Sequence, residues 1–198
     1  MNTKANEGER LERSIWSFRH LRLGVIAIFF YVGAEVSIGV NINLHALELE
    51  GTNGMNLNTP ALLATLYWGG LMVGRIVSSM FSKISPRVQL TVATSFAAVF
   101  TIVAILANNL WVLVAVGLFH SVMWGCIFTL AIQGLKKYTS KASGVFMMGV
   151  FGGAVFPVLQ GALADVLGSW RWTWGIVVVC ELVMLYYAQV GSRVKEED

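Results

Sequence analysis

The sequence predicts an all-α membrane protein of six transmembrane helices, on three observations. Of its 198 residues, 56% are hydrophobic and 13% charged, with a mean hydropathy of +0.68; a soluble domain carries about 25% charged residues. Six apolar stretches each approach the roughly 20 residues that a helix needs to cross about 30 Å of hydrocarbon. The basic residues fall, connection by connection, almost entirely on one side.

Residues 1–20 form a polar start. MNTKANEGERLER, residues 1–13, predicts a tail, and SIWSFRHLRL then mixes Trp16, Phe18 and Leu21 with Arg19, His20 and Arg22. That mixture suits either an interfacial helix or a charged flank anchoring the first span. The first twenty residues have neither an apolar core nor a small-residue cleavage site, so no signal peptide is expected. The spans follow at about Leu21 to Leu47, Pro60 to Phe81, Val88 to Ala107, Leu110 to Leu135, Ser143 to Leu167 and Trp172 to Val190. The bundle thus occupies residues 21–191, and 192–198 form a second tail.

Lys4, Arg10, Arg13, Arg19 and Arg22 precede span 1; Lys83 and Arg87 separate spans 2 and 3; Lys136, Lys137 and Lys141 separate spans 4 and 5; Arg193 and Lys195 follow span 6. The opposite connections carry Arg171 alone, with Glu48, Glu50, Asn108, Asn109 and Asp165, and with Trp170 and Trp172 as an outer aromatic belt. An excess of Lys and Arg marks the cytoplasmic side. Both termini are therefore expected in the cytoplasm, and the chain in the cytoplasmic (inner) membrane.

Several polar groups lie at depth. Span 1 reads FFYVGAEVSIGVNINLH, with Glu35 inside an apolar run; a carboxylate at bilayer depth costs about 3 kcal/mol and generally faces protein or water. Tyr31, Gly39 and Ile42 share its helical face. Asn41 and Asn43 lie to either side of it, so they reach one cavity with Glu35 only if the helix unwinds near Gly39; otherwise they are solvated near the outer headgroups, as is expected of His45. In span 2, Tyr67 and Trp68 are either belt residues or an aromatic wall for a ligand, while Arg75 is read as structural, pairing with a neighbouring helix end or capping carbonyls. His120 of span 4 falls near the midplane beside Trp124, as a ligand contact, a proton carrier or an interhelical hydrogen-bonding group. In span 5, Gly149 and Gly153 form a close-approach ridge, Pro157 should kink the helix, and Gln160 offers an amide to a hydroxyl. Asp165 caps or pairs with Arg171. Glu181 is a second deep carboxylate with no partner visible on its own helix.

Cys126 and Cys180 sit singly in apolar runs and read as small buried hydrophobes. No H-E-x-x-H occurs, and KASG at residues 141–144 puts a serine at the cytoplasmic edge without a histidine at its depth, so an intramembrane hydrolase is disfavoured. A six-span channel or a non-transporting scaffold remains the other class, although prolines at 60, 86 and 157 do not build paired N-P-A loops. No cofactor, metal or nucleic acid is expected; lipid is.

FFYVGAEVSIGVNINL, YWGGLMVGR and SVMWGCIFTLAIQGLKKYTSKASGVFMMGVFGGAVFPVLQGALAD together resemble the second half of the fucose:proton symporter family, the fucose and glucose/galactose permeases of the major facilitator superfamily. The resemblance covers nearly everything after about residue 15. It implies one half of a twelve-span fold, itself an inverted 3+3 repeat, with substrate bound between the halves at the midplane. It further implies sugar transport, a proton as coupling ion, and a missing N-terminal six-helix half or second membrane subunit, so that the chain is expected to be a fragment, a split-gene product or a truncated product. Glu35, Asn41, Asn43, Tyr67, Trp68, His120, Trp124 and Gln160 are then the expected sugar-binding residues. The acidic residues of proton coupling are expected in the other half. One departure stands out: where the family reads close to N-S-I-M-F-P-T-I-F, residues 120–128 read H-S-V-M-W-G-C-I-F, which removes a proline and should straighten that helix.

Overall fold

The computed structural model describes residues 14–53, 59–80 and 83–194, and for 50–53 and 59 the backbone only. The expectations placed on residues 1–13, on the Glu50 side chain, on Phe81 and on Lys195 lie outside the described residues.

Among the described residues, six helical stretches are long and apolar enough to cross a membrane, at Arg19–Leu49, Pro60–Ser79, Pro86–Ala107, Leu110–Ala131, Lys136–Leu167 and Arg171–Gly191. The first four are single helices: α1 (Arg19–Asn53), α2 (Thr59–Ser79), α3 (Pro86–Ala107) and α4 (Leu110–Ala131). The fifth combines a 3-10 turn at Lys136–Tyr138, α5 (Thr139–Met148), a second 3-10 turn at Gly149–Phe151 and α6 (Gly152–Leu167). The sixth runs from a 3-10 turn at Arg171–Trp174 through α7 (Gly175–Tyr186) into a π turn at Tyr187–Gly191.

Local chemistry sets the ends. Ser85 caps α3, its hydroxyl accepting from the Val88 N–H at 3.4 Å with Pro86 just inside the helix, where a missing N–H costs nothing. Asn108 ends α3 in the left-handed region at φ 50°, and Asn109 starts α4 by accepting from the Trp111 N–H at 2.9 Å. This two-residue reversal makes α3 and α4 antiparallel neighbours. Ahead of α1, Ser14 caps a 3-10 turn at Ile15–Ser17; Ile15 and Phe18 are buried and Trp16 exposed, the arrangement expected of a segment lying at a membrane interface.

α1 is the central element, packed against α2, α4, α6 and α7, while α3 joins α4 to α7. Small residues allow the closest crossings. A Cβ on Gly152 would meet the Phe29 carbonyl of α1, and one on Gly149 would lie 2.7 Å from the Val25 carbonyl oxygen. Such surfaces let backbones approach in lipid, where apolar burial alone supplies no drive. The outward faces stay apolar, with Met72 and Ile76 on α2, Val99 and Leu106 on α3, and Val158 and Val166 on α6 all exposed, as acyl chains require.

Of the two readings of Asn41 and Asn43, the one that requires α1 to unwind near Gly39 does not hold. α1 continues unbroken through Gly39, because that glycine makes room for the Trp68 indole rather than loosening the helix. α6 continues as an α-helix through Pro157, and span 5 departs from α-helix in the 3-10 turn at Gly149–Phe151, at the glycines pressed against α1, where tightening the backbone is easy. α4 is a continuous 22-residue helix.

Candidate functional site

A cavity of about 760 Å³ opens between α1, α2, α3, α4 and span 5. Glu35 and Ser121 stand at its inner end; Ser78, Pro86 and Thr129 lie toward the α2–α3 and α4–α5 connections. That is the end carrying Lys83, Arg87, Lys136 and Lys137. Ser121 falls halfway along α4, so the cavity reaches from mid-span to this basic end.

Its polar groups come from separate helices. The Glu35 carboxylate accepts the Tyr31 hydroxyl at 2.9 Å, one turn earlier on α1. Arg75 of α2 places Nη2 3.8 Å from Glu35 Oε1, so its predicted structural role at a helix end is corrected: residue 75 faces α1 in register with the carboxylate. The Arg75 side chain is 61% exposed, and an ion pair so open contributes at most about 1 kcal/mol to stability. What the pair supplies is an acceptor and a fork of donors at the head of a cavity. Trp124 lines the wall below, stacked on Phe128 with ring centroids 5.4 Å apart. Gln89 and Cys126 complete the polar lining, with Cys126 Sγ 4.0 Å from Gln89 Oε1.

Behind Glu35 lies a second constellation, fully buried. Tyr67 of α2 bonds Nδ1 of His120 at 2.7 Å, and Nε2 of His120 bonds Oε1 of Glu181 on α7 at 2.6 Å. The Tyr31 hydroxyl also lies 2.9 Å from the His120 carbonyl. Thus Glu181, for which the sequence offers no partner, is paired with the midplane histidine of another helix.

A third constellation sits toward the opposite end. Asn41 donates to Gln160 Oε1 at 2.9 Å and to the Pro157 carbonyl at 3.1 Å, and Gln160 donates to the Thr173 hydroxyl at 3.1 Å. Asn41 and Gln160 therefore satisfy one another inside the protein, away from the cavity. Asn43 is turned elsewhere, its Oδ1 without a hydrogen-bond partner among the described residues. Trp68, 43% exposed, lies against Gly39. His45, expected at the interface, is instead buried and accepts the Trp174 indole N–H at 2.9 Å, because the 3-10 turn leading into α7 covers the outer part of α1. Arg171, expected to pair with Asp165, instead donates to the carbonyls of Ile105 and Leu106 at 2.7 and 2.8 Å, capping α3, while Asp165 is exposed.

Of the eight residues expected to bind sugar, Glu35 and Trp124 line the cavity. Tyr67 and His120 stand one layer behind, and Asn41 and Gln160 form the separate brace. Arg75 and Gln89 are cavity residues that sequence reasoning passed over. For Arg75 the available signal was an intramembrane cation at the same depth as an intramembrane anion.

No protein-family model matches the chain. A glucose/galactose transporter of Brucella abortus is 34% identical over 189 residues, 93% of this chain and 45% of its own length. A putative glucose/galactose transporter of Helicobacter pylori is 35% identical over 196 residues, 95% of this chain and 47% of its own length. The L-fucose-proton symporter of Escherichia coli is 26% identical over 179 residues, covering 88% and 40%. Among solved structures, the Escherichia coli fucose:proton symporter superposes with a TM-score of 0.84 at 24% identity, over 91% of this chain and 44% of that one. A second structure of that transporter, FucP of the major facilitator superfamily in the outward conformation, matches at 0.83 and 24% identity, over 98% and 48%. The chain spans about half the length of the relatives it matches.

Proposed function

We propose, from the premise that this multi-pass membrane chain is a homologue of the glucose/galactose and fucose:proton permeases and folds as one six-helix half of a major-facilitator transporter, that it supplies the C-terminal half of a sugar carrier. The carrier moves a hexose or deoxyhexose across the cytoplasmic membrane, driven by protons. A complementary six-helix half, in the same polypeptide or as a second subunit, closes the cavity. Residues 1–20 and 192–198 are cytoplasmic, flanking the bundle at 21–191.

The observation that carries this reading is the Glu35–Arg75 pair at the head of the cavity. A carboxylate accepts from sugar hydroxyls, a guanidinium donates to them, and the Trp124 indole below offers a flat apolar face to the C–H side of a pyranose ring. Mid-span placement suits a substrate handed from one side of the membrane to the other.

The test is uptake of radiolabelled glucose, galactose and fucose into vesicles holding the chain with its complementary half. Glu35→Gln and Arg75→Gln are each expected to lower uptake while both proteins still insert. Undiminished uptake of all three sugars in both variants removes the site; no uptake of any sugar by the unaltered pair removes the transport reading.

A further inference from the structure

We propose that the buried His120–Glu181 pair is a proton-binding site, holding one exchangeable proton, with Tyr67 bonded to its imidazole and Tyr31 joining the His120 backbone to Glu35 at the cavity wall. The proton site stands on geometry; only its coupling to sugar rests on the transport reading above.

His120 lies halfway along α4 and Glu181 midway through the sixth span, both without solvent contact. Their 2.6 Å separation is short even for a charge-assisted N–H···O bond, for which about 2.7–2.9 Å is usual. Glu181 Oε2 is buried with no partner among the described residues. A carboxylate so placed is tolerated only when a proton or a cation neutralises it. Among the described residues, the titratable and charged groups nearby are few. α1 contributes Tyr31 and Glu35, α2 contributes Tyr67 and Arg75, and α4 itself adds only Cys126. α7 adds Cys180 and, at its end, Tyr186. The one charged residue of α3, Arg87, is at its start and bonded to Ser192. Arg75 stands beside Glu35, leaving the proton on His120 as the means of neutralising Glu181.

The proton count closes on these atoms. In the loaded state the imidazolium donates Nε2–H to Glu181 Oε1 and Nδ1–H to the Tyr67 oxygen, and the pair is neutral. In the unloaded state Nε2–H still serves the carboxylate, Nδ1 accepts the Tyr67 hydroxyl, and the pair carries one negative charge. The states differ by one proton, taken from water and returned to it, and by a rotation of the Tyr67 hydroxyl. Sealed from water, the site holds its proton; release requires a helix movement that wets it. Tyr31 supplies the link to the cavity, since its hydroxyl oxygen lies 2.9 Å from both Glu35 Oε1 and the His120 carbonyl oxygen, and its one proton can serve only one of them at a time. A ligand that competes for Glu35 Oε1 turns that proton toward α4.

The experiment is pH-induced infrared difference spectroscopy on the chain in lipid vesicles, comparing Glu181→Gln, Tyr67→Phe and Glu35→Gln. Carboxyl and imidazole bands are expected to titrate together, to vanish in Glu181→Gln, to shift in midpoint in Tyr67→Phe and to persist in Glu35→Gln. In the assembled carrier, Glu181→Gln is expected to lose accumulation of sugar against its gradient and to keep sugar-for-sugar exchange. If Glu181→Gln does not fold, the midpoint shift in Tyr67→Phe, which leaves the pair intact, decides. Bands unchanged by Glu181→Gln and Tyr67→Phe overturn the site, and undiminished accumulation in Glu181→Gln overturns its coupling. Titrating bands in a chain that moves no sugar leave the proton site standing and remove the sugar carrier.

Discussion

Asn41 and Gln160 stand 119 residues apart in the chain and share a 2.9 Å hydrogen bond that joins α1 to α6. Thr173 extends the link to the turn before α7. Three helices are thus tied by side chains that have no access to the cavity. Asn41→Ala should leave the Gln160 oxygen without its side-chain donor and destabilise the bundle by about 1–2 kcal/mol. Thermal unfolding in detergent checks this, and the double variant Asn41→Ala/Gln160→Ala should cost less than the two single losses added. If the two residues instead touched sugar, the half-saturating sugar concentration would rise with no change in unfolding temperature.

Glu35 lines a cavity that runs to the basic end of the bundle. In a background lacking Cys126 and Cys180, Glu35→Cys should react with a water-soluble thiol reagent added on the cytoplasmic side. Gln160→Cys, fully buried, should react far more slowly. Mass spectrometry of labelled vesicles, right-side-out against inverted, gives the comparison and tests the orientation at the same time.

Gly152 leaves no room for a side chain where α6 crosses the Phe29 carbonyl of α1. Because the obstacle is backbone, Gly152→Ala must push the helices apart, at roughly 1–3 kcal/mol. Gly125 has no atom within 4 Å of an added Cβ, and Gly125→Ala should change stability by less than about 1 kcal/mol, in the favourable direction if at all. Unfolding temperatures of the two variants should therefore move unequally, with only the first clearly lowered.

Arg171 satisfies two carbonyls at the end of α3 and lies over the Trp172 ring at 5.0 Å. Arg171→Ala should cost about 1 kcal/mol, an amount held down by its partial exposure. Arg171→Lys should recover only part of it, because an ammonium cannot serve two carbonyls with the same fixed fork. Hydrogen exchange at the α3–α4 turn, faster in the alanine variant, is the local readout.

Length, apolarity and the sorting of basic residues were legible in the one-dimensional chain, because the bilayer imposes them segment by segment. Each span needs its own run of apolar residues and each connection its own charge, so neither requires knowing the neighbours. Helical periodicity also put Tyr31 on the face of Glu35, and those two are hydrogen-bonded. Nothing along the chain, however, relates His120 to Glu181, Asn41 to Thr173, or Arg75 to Glu35. Those relations depend on the azimuth of each helix and on its height against the others, which are set by packing at glycines such as Gly39, Gly149 and Gly152. The same cause separates six of the eight expected sugar-binding residues into a cavity wall, a layer behind it and a distant brace, and leaves Asn43 and Trp68 outside all three. Residue type identified which side chains are too polar for lipid, and only tertiary packing decided whether each turned toward water or toward another buried group.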